Sequence, residues 1–292
     1  MLLQFMLDVN SKILWLADYD LHQAAGGAQR SDKIIIDYGK SLGFNILKVN
    51  HETFGPHIDM HSFDVAVSSN LCALVSKNKW LIDDIAKHKY HVRLEHDSNT
   101  YLTQEDRIKL FGSCKRTFFL TDYHHEFFIH DFGNIFKNVE IVADPIDTSL
   151  FYDHKKQREN KMLYVGYMHP LKGSYNFFDF ALTNQDKQFV VSSWTEYPSL
   201  DFLCRNVPNV EYLGITDFEK MPDLYNKYES LYYNPNLREP FCRSFAEAIL
   251  CGCKIYCPKL DQIGSYHDLK KHGKDKFSEN CKNAPKTFWE KL

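Results

Sequence analysis

Residues 239–252 read EPFCRSFAEAILCG, with Glu239 before a proline-containing turn and Glu247 about one turn into a short apolar helix. Phe245, Ala248, Ile249 and Gly252 make one face of that helix apolar, and the pattern starts it at about Arg243. The backbone N–H groups near Cys242, Arg243 and Ser244 are then the unpaired donors that open a helix, which suits phosphate oxygens. A carboxylate accepts two parallel hydrogen bonds from a vicinal diol, so glutamates flanking a phosphate site point to a sugar nucleotide.

Outward from this stretch, short apolar strands alternate with amphipathic helices along the chain. The first half runs ILWLADY, a helix after Gly27, NILKV, DVAVSS, a helix through Trp80 to Lys87, HVRLEHD, FFLTDY, a helix through Phe127 and Phe128, and VEIVADPID. The polar segment YDHKKQREN breaks the pattern and sets a boundary near residues 150–160. The second half restarts with MLYVGY, a helix after Gly173, QFVVSSW, VEYLG, a helix through Leu224 and Tyr225, SLYYNP, the opening helix and CKIYCP, and PKTFWEKL reads as a terminal helix. Strands separated by helices need right-handed crossovers and give parallel sheets, with ligands beyond the strand C-termini. The fold class predicted is α/β, with two doubly wound Rossmann-like domains, 1–152 and 153–292, facing across a cleft.

The bulk composition excludes several functions. The chain has 292 residues, 44% apolar and 25% charged, and a net charge of -3, so no global basic field draws it to nucleic acid or anionic lipid. The basic run KKHGKDK (270–276) and the group Lys155, Lys156, Arg158 and Lys161 read as solvated surface. MLLQFMLDVN does not read as a signal peptide, and no apolar run approaches the ~20 residues of a membrane span, so a cytoplasmic protein is expected. Eight cysteines without paired spacing read as reduced thiols. Cys251, Cys253 and Cys257 have the wrong spacing for a zinc knuckle, and no helix or strand period clearly gathers His51, His57 and His61, so no metal site is predicted and the three histidines stay as the alternative to that.

Three loops sit where such sheets present their ligands: HQAAGGAQR (22–30), GYMHPLKGS (166–174) and NLREPFCRS (236–244). Gly26 and Gly27 either bring backbone close to a ligand or make a tight strand-to-helix turn. Lys172, just before Gly173 at a helix start, is either a surface lysine or an ammonium that shares a diphosphate with the helix dipole.

Glu239 and Glu247 with Phe241 between them, together with AEAILCGCKIYCP, resemble the Glu-x7-Glu signature of retaining glycosyltransferases of family four, whose fold is GT-B. VGYMHPLKG is similar to that family's VGR…KG segment, VEIVADPIDTSLFYD to its interdomain segment and AAGGAQR to its N-terminal glycine loop, so the likeness spans most of the chain. The resemblance implies that Glu239 contacts hydroxyls of the donor sugar and Glu247 the nucleotide ribose. It assigns the donor diphosphate to Lys172 and Gly173, to Gly27, and to the backbone of Cys242, Arg243 and Ser244. His96, at the end of HVRLEHD, matches the family's active-site histidine near the transferred sugar.

The activity so implied is transfer of a hexosyl or pentosyl group from a nucleotide diphosphate sugar to a hydroxyl acceptor, with retention and with neither metal nor other cofactor. Positioning and stabilisation of the departing diphosphate carry such a reaction, with the donor site mainly on the second domain, the acceptor site on the first, and cleft closure completing the site. Tyr167 stands where many members carry an arginine, so Lys172 or Arg243 is expected to compensate, and Cys242 replaces a common glycine. The chain is short for the family, as compact viral and phage enzymes are. A glycan, a lipid-linked sugar, a small molecule and a modified DNA base remain open as acceptors, the weak basic balance speaking against nucleic acid. The alternative reading is a catalytically weak sugar-nucleotide-binding protein or a sugar-nucleotide epimerase.

Overall fold

A computed structural model describes residues 8, 10–24, 26–98 and 102–292. The apolar runs of the first half become parallel strands: β1 (Lys12–Leu16), α1 (Gly27–Ser41), β2 (Asn45–Val49), β3 (Val65–Ser68), α2 (Cys72–Lys77), α3 (Leu81–Lys87), β4 (His91–Leu94), α4 (Gln104–Ser113), β5 (Arg116–Phe119), α5 (Asp122–Phe132) and β6 (Val139–Ile141). Their order is β2-β1-β3-β4-β5-β6, so the chain enters the sheet one strand in from an edge and winds outward both ways, with the switch point between β1 and β3. β3 and β4 are buried along their whole length, as parallel strands covered on both faces must be. Local chemistry starts and stops the helices. Thr103 and Thr121 cap α4 and α5 through their side-chain oxygens, and Gly133, at φ 74°, ends α5.

The second half repeats the alternation with β7 (Glu159–Tyr167), α6 (Ser174–Thr183), β8 (Phe189–Trp194), α7 (Pro198–Asn206), β9 (Val210–Gly214), α8 (Met221–Lys227), β10 (Tyr228–Tyr232), α9 (Arg243–Leu250) and β11 (Lys254–Tyr256). The strand order is β11-β10-β7-β8-β9, again parallel. β7 and β10 are therefore central neighbours, and the loops leaving their C-terminal ends share one edge. Tyr164, Phe177, Phe178, Phe189, Leu200 and Tyr232 form the core on one side of this sheet.

The chain divides into two compact units, Met1–Pro145 with Lys282–Leu292, and Ile146–Cys281. This differs from the expected 1–152 and 153–292 at both ends, for packing reasons. Phe151 packs on Phe218 and Tyr225, with ring centroids 5.4 and 6.2 Å away, and the Ile146 N–H bonds the Cys281 carbonyl at 3.3 Å, so residues 146–152 belong with the second sheet. The last helix, α10 (Gly264–Lys291), bends at Gly273, and its final turns return to the first sheet. There Phe288 packs on Phe118 and Trp15, Trp289 stacks on Phe44, and the Trp289 indole donates to the Ile35 carbonyl at 2.8 Å. Gly39 of α1 makes room for that indole, since a Cβ at position 39 would lie 2.3 Å from it.

Candidate functional site

In the second unit the two central loops are stitched together. After β7 the chain makes a 3-10 turn over Pro170–Lys172, capped by the His169 imidazole, and Gly173 then takes the left-handed backbone, φ 76° and ψ 27°. A Cβ at 173 would lie 1.8 Å from the Asn234 carbonyl oxygen, so only glycine permits the approach. Asn236 closes the seam, its backbone N–H to the Leu171 carbonyl at 2.9 Å and its side-chain amide to that of Pro170 at 3.0 Å.

This seam delivers Lys172 to Glu239. The ammonium lies 2.6 Å from Glu239 Oε1, and the Tyr233 hydroxyl donates to the same oxygen. The Glu239 backbone is fixed as well, its N–H to the Gln262 carbonyl at 2.8 Å and its carbonyl receiving the Gly264 N–H at 2.9 Å. Glu239 is only 5% exposed, while the Lys172 side chain is 37% exposed. Burial first, then the neighbouring Cys242 and Glu239, hold the Tyr233 phenol well above its ordinary pKa, so it remains a donor.

Glu247 is held in the same way. Arg243 Nε donates to Glu247 Oε1 at 2.8 Å across one turn of α9, and the Tyr225 hydroxyl donates to Oε2 at 3.3 Å. Glu247 is also only 5% exposed, not the exposed helix residue that its position alone allows. Between the glutamates, Cys242 caps α9 with φ 71° and ψ 84°, a backbone that favours glycine. Its thiol is buried among Tyr233, Phe245, Cys257 and Ile263, and burial pushes its pKa up to about 12. Ser244 Oγ lies 3.6 Å from that sulfur.

Tyr167, which stands in the place of the family's arginine, is engaged away from the glutamates. Tyr167 stacks on Trp194 at 4.3 Å and bonds Glu196 at 2.5 Å, whereas Lys172 and Arg243 are engaged by the two glutamates. The site's cations are thus built into its carboxylates.

His96 and Gly27 belong to the first unit, and the glutamate pair to the second. Gly27 opens α1 and its carbonyl accepts from Ser31 Oγ at 2.9 Å. Asp32, on the buried face of α1, meets His96 Nε2 at 3.2 Å and accepts from Ser69 Oγ at 3.0 Å. Beside it, Arg93 and Glu95 form a buried ion pair at 2.7 Å, and Glu95 Oε1 receives the backbone N–H groups of His96 and Asp97, both at 3.1 Å. Burial alone would lower the His96 pKa, but the Asp32 bond and charge, with Asp144 and Asp97 behind them, raise it.

Tyr233, Tyr225 and Asp32 were not singled out in the sequence. Asp32 had a signal, because it shares the buried helix face with Ile35, Ile36 and Gly39. Cys251, Cys253 and Cys257 are free, buried thiols, and among the described residues no group of three His, Cys, Asp or Glu side chains could hold a metal ion. Among those residues no helix is long and apolar enough to cross a membrane.

No protein-family model and no curated protein matches the sequence. Solved structures do match. Sucrose-phosphate synthase from Thermosynechococcus elongatus is 11% identical at a TM-score of 0.67, over 96% of this chain and 94% of that one. Anabaena HepE, in complex with UDP and glucose, is 14% identical at 0.64, over 97% and 95%. The fold is GT-B. A glycosyltransferase from Rickettsia africae, 10% identical at 0.60 over 96% and 93%, adds a third example. At such identities the likeness is one of fold, and the GT-B assignment rests equally on the two parallel sheets.

Proposed function

We propose that this GT-B chain is a glycosyltransferase that moves a sugar from a nucleotide diphosphate sugar to a hydroxyl acceptor with retention. The observation that carries the reading is the Lys172–Glu239 pair at the C-terminal edge of β7 and β10, a buried carboxylate beside a half-exposed ammonium. In this reading Glu239 accepts from donor-sugar hydroxyls, and Lys172 faces the diphosphate with backbone from Gly173 and from Cys242, Arg243 and Ser244. Glu247 takes the ribose hydroxyls. On the family resemblance, Gly27 is proposed to contact the diphosphate and His96 the transferred sugar.

The chemistry that this arrangement suits is positional and electrostatic. The bond between the anomeric carbon and the diphosphate oxygen breaks, the acceptor oxygen bonds that carbon on the same face, and the acceptor proton leaves with the diphosphate. Lys172 opposes the charge that grows on the departing oxygens. The scheme uses no metal and no further cofactor, the nucleotide sugar being a substrate. Every cysteine is free, which fits a reducing compartment, and we place the protein in the cytoplasm.

HepE was solved with UDP and glucose, so UDP-sugars lead the test panel, with GDP- and ADP-sugars beside them. Nucleoside diphosphate release is measured for wild type, Glu239→Ala and Lys172→Ala. Release from one donor, reduced about 100-fold or more in both variants, is expected; release from none, with candidate acceptors of each class present, overturns the reading.

A further inference from the structure

The apolar face of α1 carries one residue that packing does not call for. Ser31, Asp32, Ile35, Ile36 and Gly39 are its buried positions, and a carboxylate there is costly unless it is paired. Asp32 is paired with a candidate functional group. Its Oδ1 lies 3.2 Å from His96 Nε2, with the two side chains 2% and 3% exposed, and Ser69 Oγ donates to the same oxygen at 3.0 Å.

We propose that Asp32 is the positioning residue of His96, holding the ring through Nε2 so that it acts as an imidazolium whose Nδ1–H meets an oxygen of the substrate. This rests on the transferase reading for the identity of that substrate, but the pairing itself does not. The ring is held by Asp32 of α1, which Ser69 just past β3 fixes in turn, and the His96 backbone is held by Glu95, itself locked by Arg93 of β4. The charged groups around it are Asp32 from α1, Asp144 after β6, Asp97 on its own loop, Arg93 and Glu95 on β4, and His124 from α5. Arg93 is neutralised by Glu95, and His124 is driven to its neutral form by burial, so carboxylates dominate the field at His96. No bond is made or broken by Asp32; it orients and keeps charged a group that donates a hydrogen bond.

The test is an NMR titration of imidazole resonances in the full chain, with His96→Gln assigning the signal. In the wild type His96 should titrate above the ordinary 6.5, and in Asp32→Asn its midpoint should fall by about one unit or more. An unchanged midpoint in Asp32→Asn overturns the proposal. Should that variant not fold, a wild-type midpoint at or below 6.5 overturns it equally.

Turnover gives a second reading. Asp32→Asn is expected to lower kcat about 100-fold with the donor KM changed by no more than about twofold. Activity should be lost as pH rises past the lowered midpoint, and Asp32→Glu should restore part of it. A wild type inactive on every donor sinks the transferase reading, while the titration still decides the pairing.

Discussion

Lys172 and Glu239 meet at 2.6 Å, and Arg243 and Glu247 repeat the arrangement at 2.8 Å, each carboxylate gripped by one cation and one tyrosine. A buried carboxylate with a charged partner and a phenol is held in one direction before any ligand arrives. The pair is therefore a prearranged set of acceptors. A sugar or ribose hydroxyl needs such acceptors.

The phenols can be removed without disturbing volume. Tyr233→Phe should leave the fold intact, cost about 1 kcal/mol in denaturant stability, and reduce turnover about tenfold by loosening Glu239. Tyr225→Phe should act on nucleotide affinity instead. Urea melts and steady-state kinetics separate the two, and equal, unaltered kinetics in both would remove the tyrosines from the site.

Gly173→Ala meets two obstacles at once, a left-handed backbone and the Asn234 carbonyl at 1.8 Å. The expected loss is about 2–4 kcal/mol, beyond the strain of the backbone alone. Donor binding should weaken with it, since the same seam holds Lys172. Calorimetric titration with the nucleotide at a temperature where the variant is folded checks this.

Cys242 sets an asymmetric prediction. Replacement by glycine relieves the positive φ but loses a buried thiol and loosens the unfolded chain, so stability should stay within about 1 kcal/mol of wild type. A β-branched valine cannot relax there, and Cys242→Val should cost about 2 kcal/mol or more. With its pKa pushed up to about 12, the thiol of the folded protein should also react slowly with disulfide reagents at neutral pH.

The buried histidines of the first sheet predict acid lability. Burial, with Arg93 nearby, lowers the His91 pKa from 6.5 to about 3, and burial lowers His124 and His88 as well. A depressed folded pKa contributes stability that is fully present above 6.5 and is lost as pH falls toward about 3. Stability should decline across that window by up to about 1.4 kcal/mol per pH unit for each such histidine. His91→Gln should flatten the decline, and a profile identical to wild type would contradict it.

Much of the architecture was legible because central parallel strands are buried on both faces and so read as unbroken apolar runs, as ILWL of β1 and VAV of β3 do. The start of α9 at Arg243 was legible too, from the turn before it. What the sequence did not disclose depends on meetings between distant segments. Tyr233 follows directly on β10 in the run SLYYNP, and nothing in its neighbourhood says that its hydroxyl reaches Glu239. The face of α10 is apolar near Phe288 and Trp289 whichever sheet receives it. Lys172 and Arg243 read as ligand contacts in the sequence, which does not disclose that each also pairs with a glutamate.

Phe288 and Trp289 lie against strand β1 and its helix α1, although the Trp289 indole and the Ile35 carbonyl that it bonds are 254 positions apart in the chain. On the ribosome, the sheet that is made first must wait for them, and the sheet that is made second can close before it. The order of completion thus runs opposite to the order of translation, and removal of the last turns of α10 would damage the first sheet and leave the second complete.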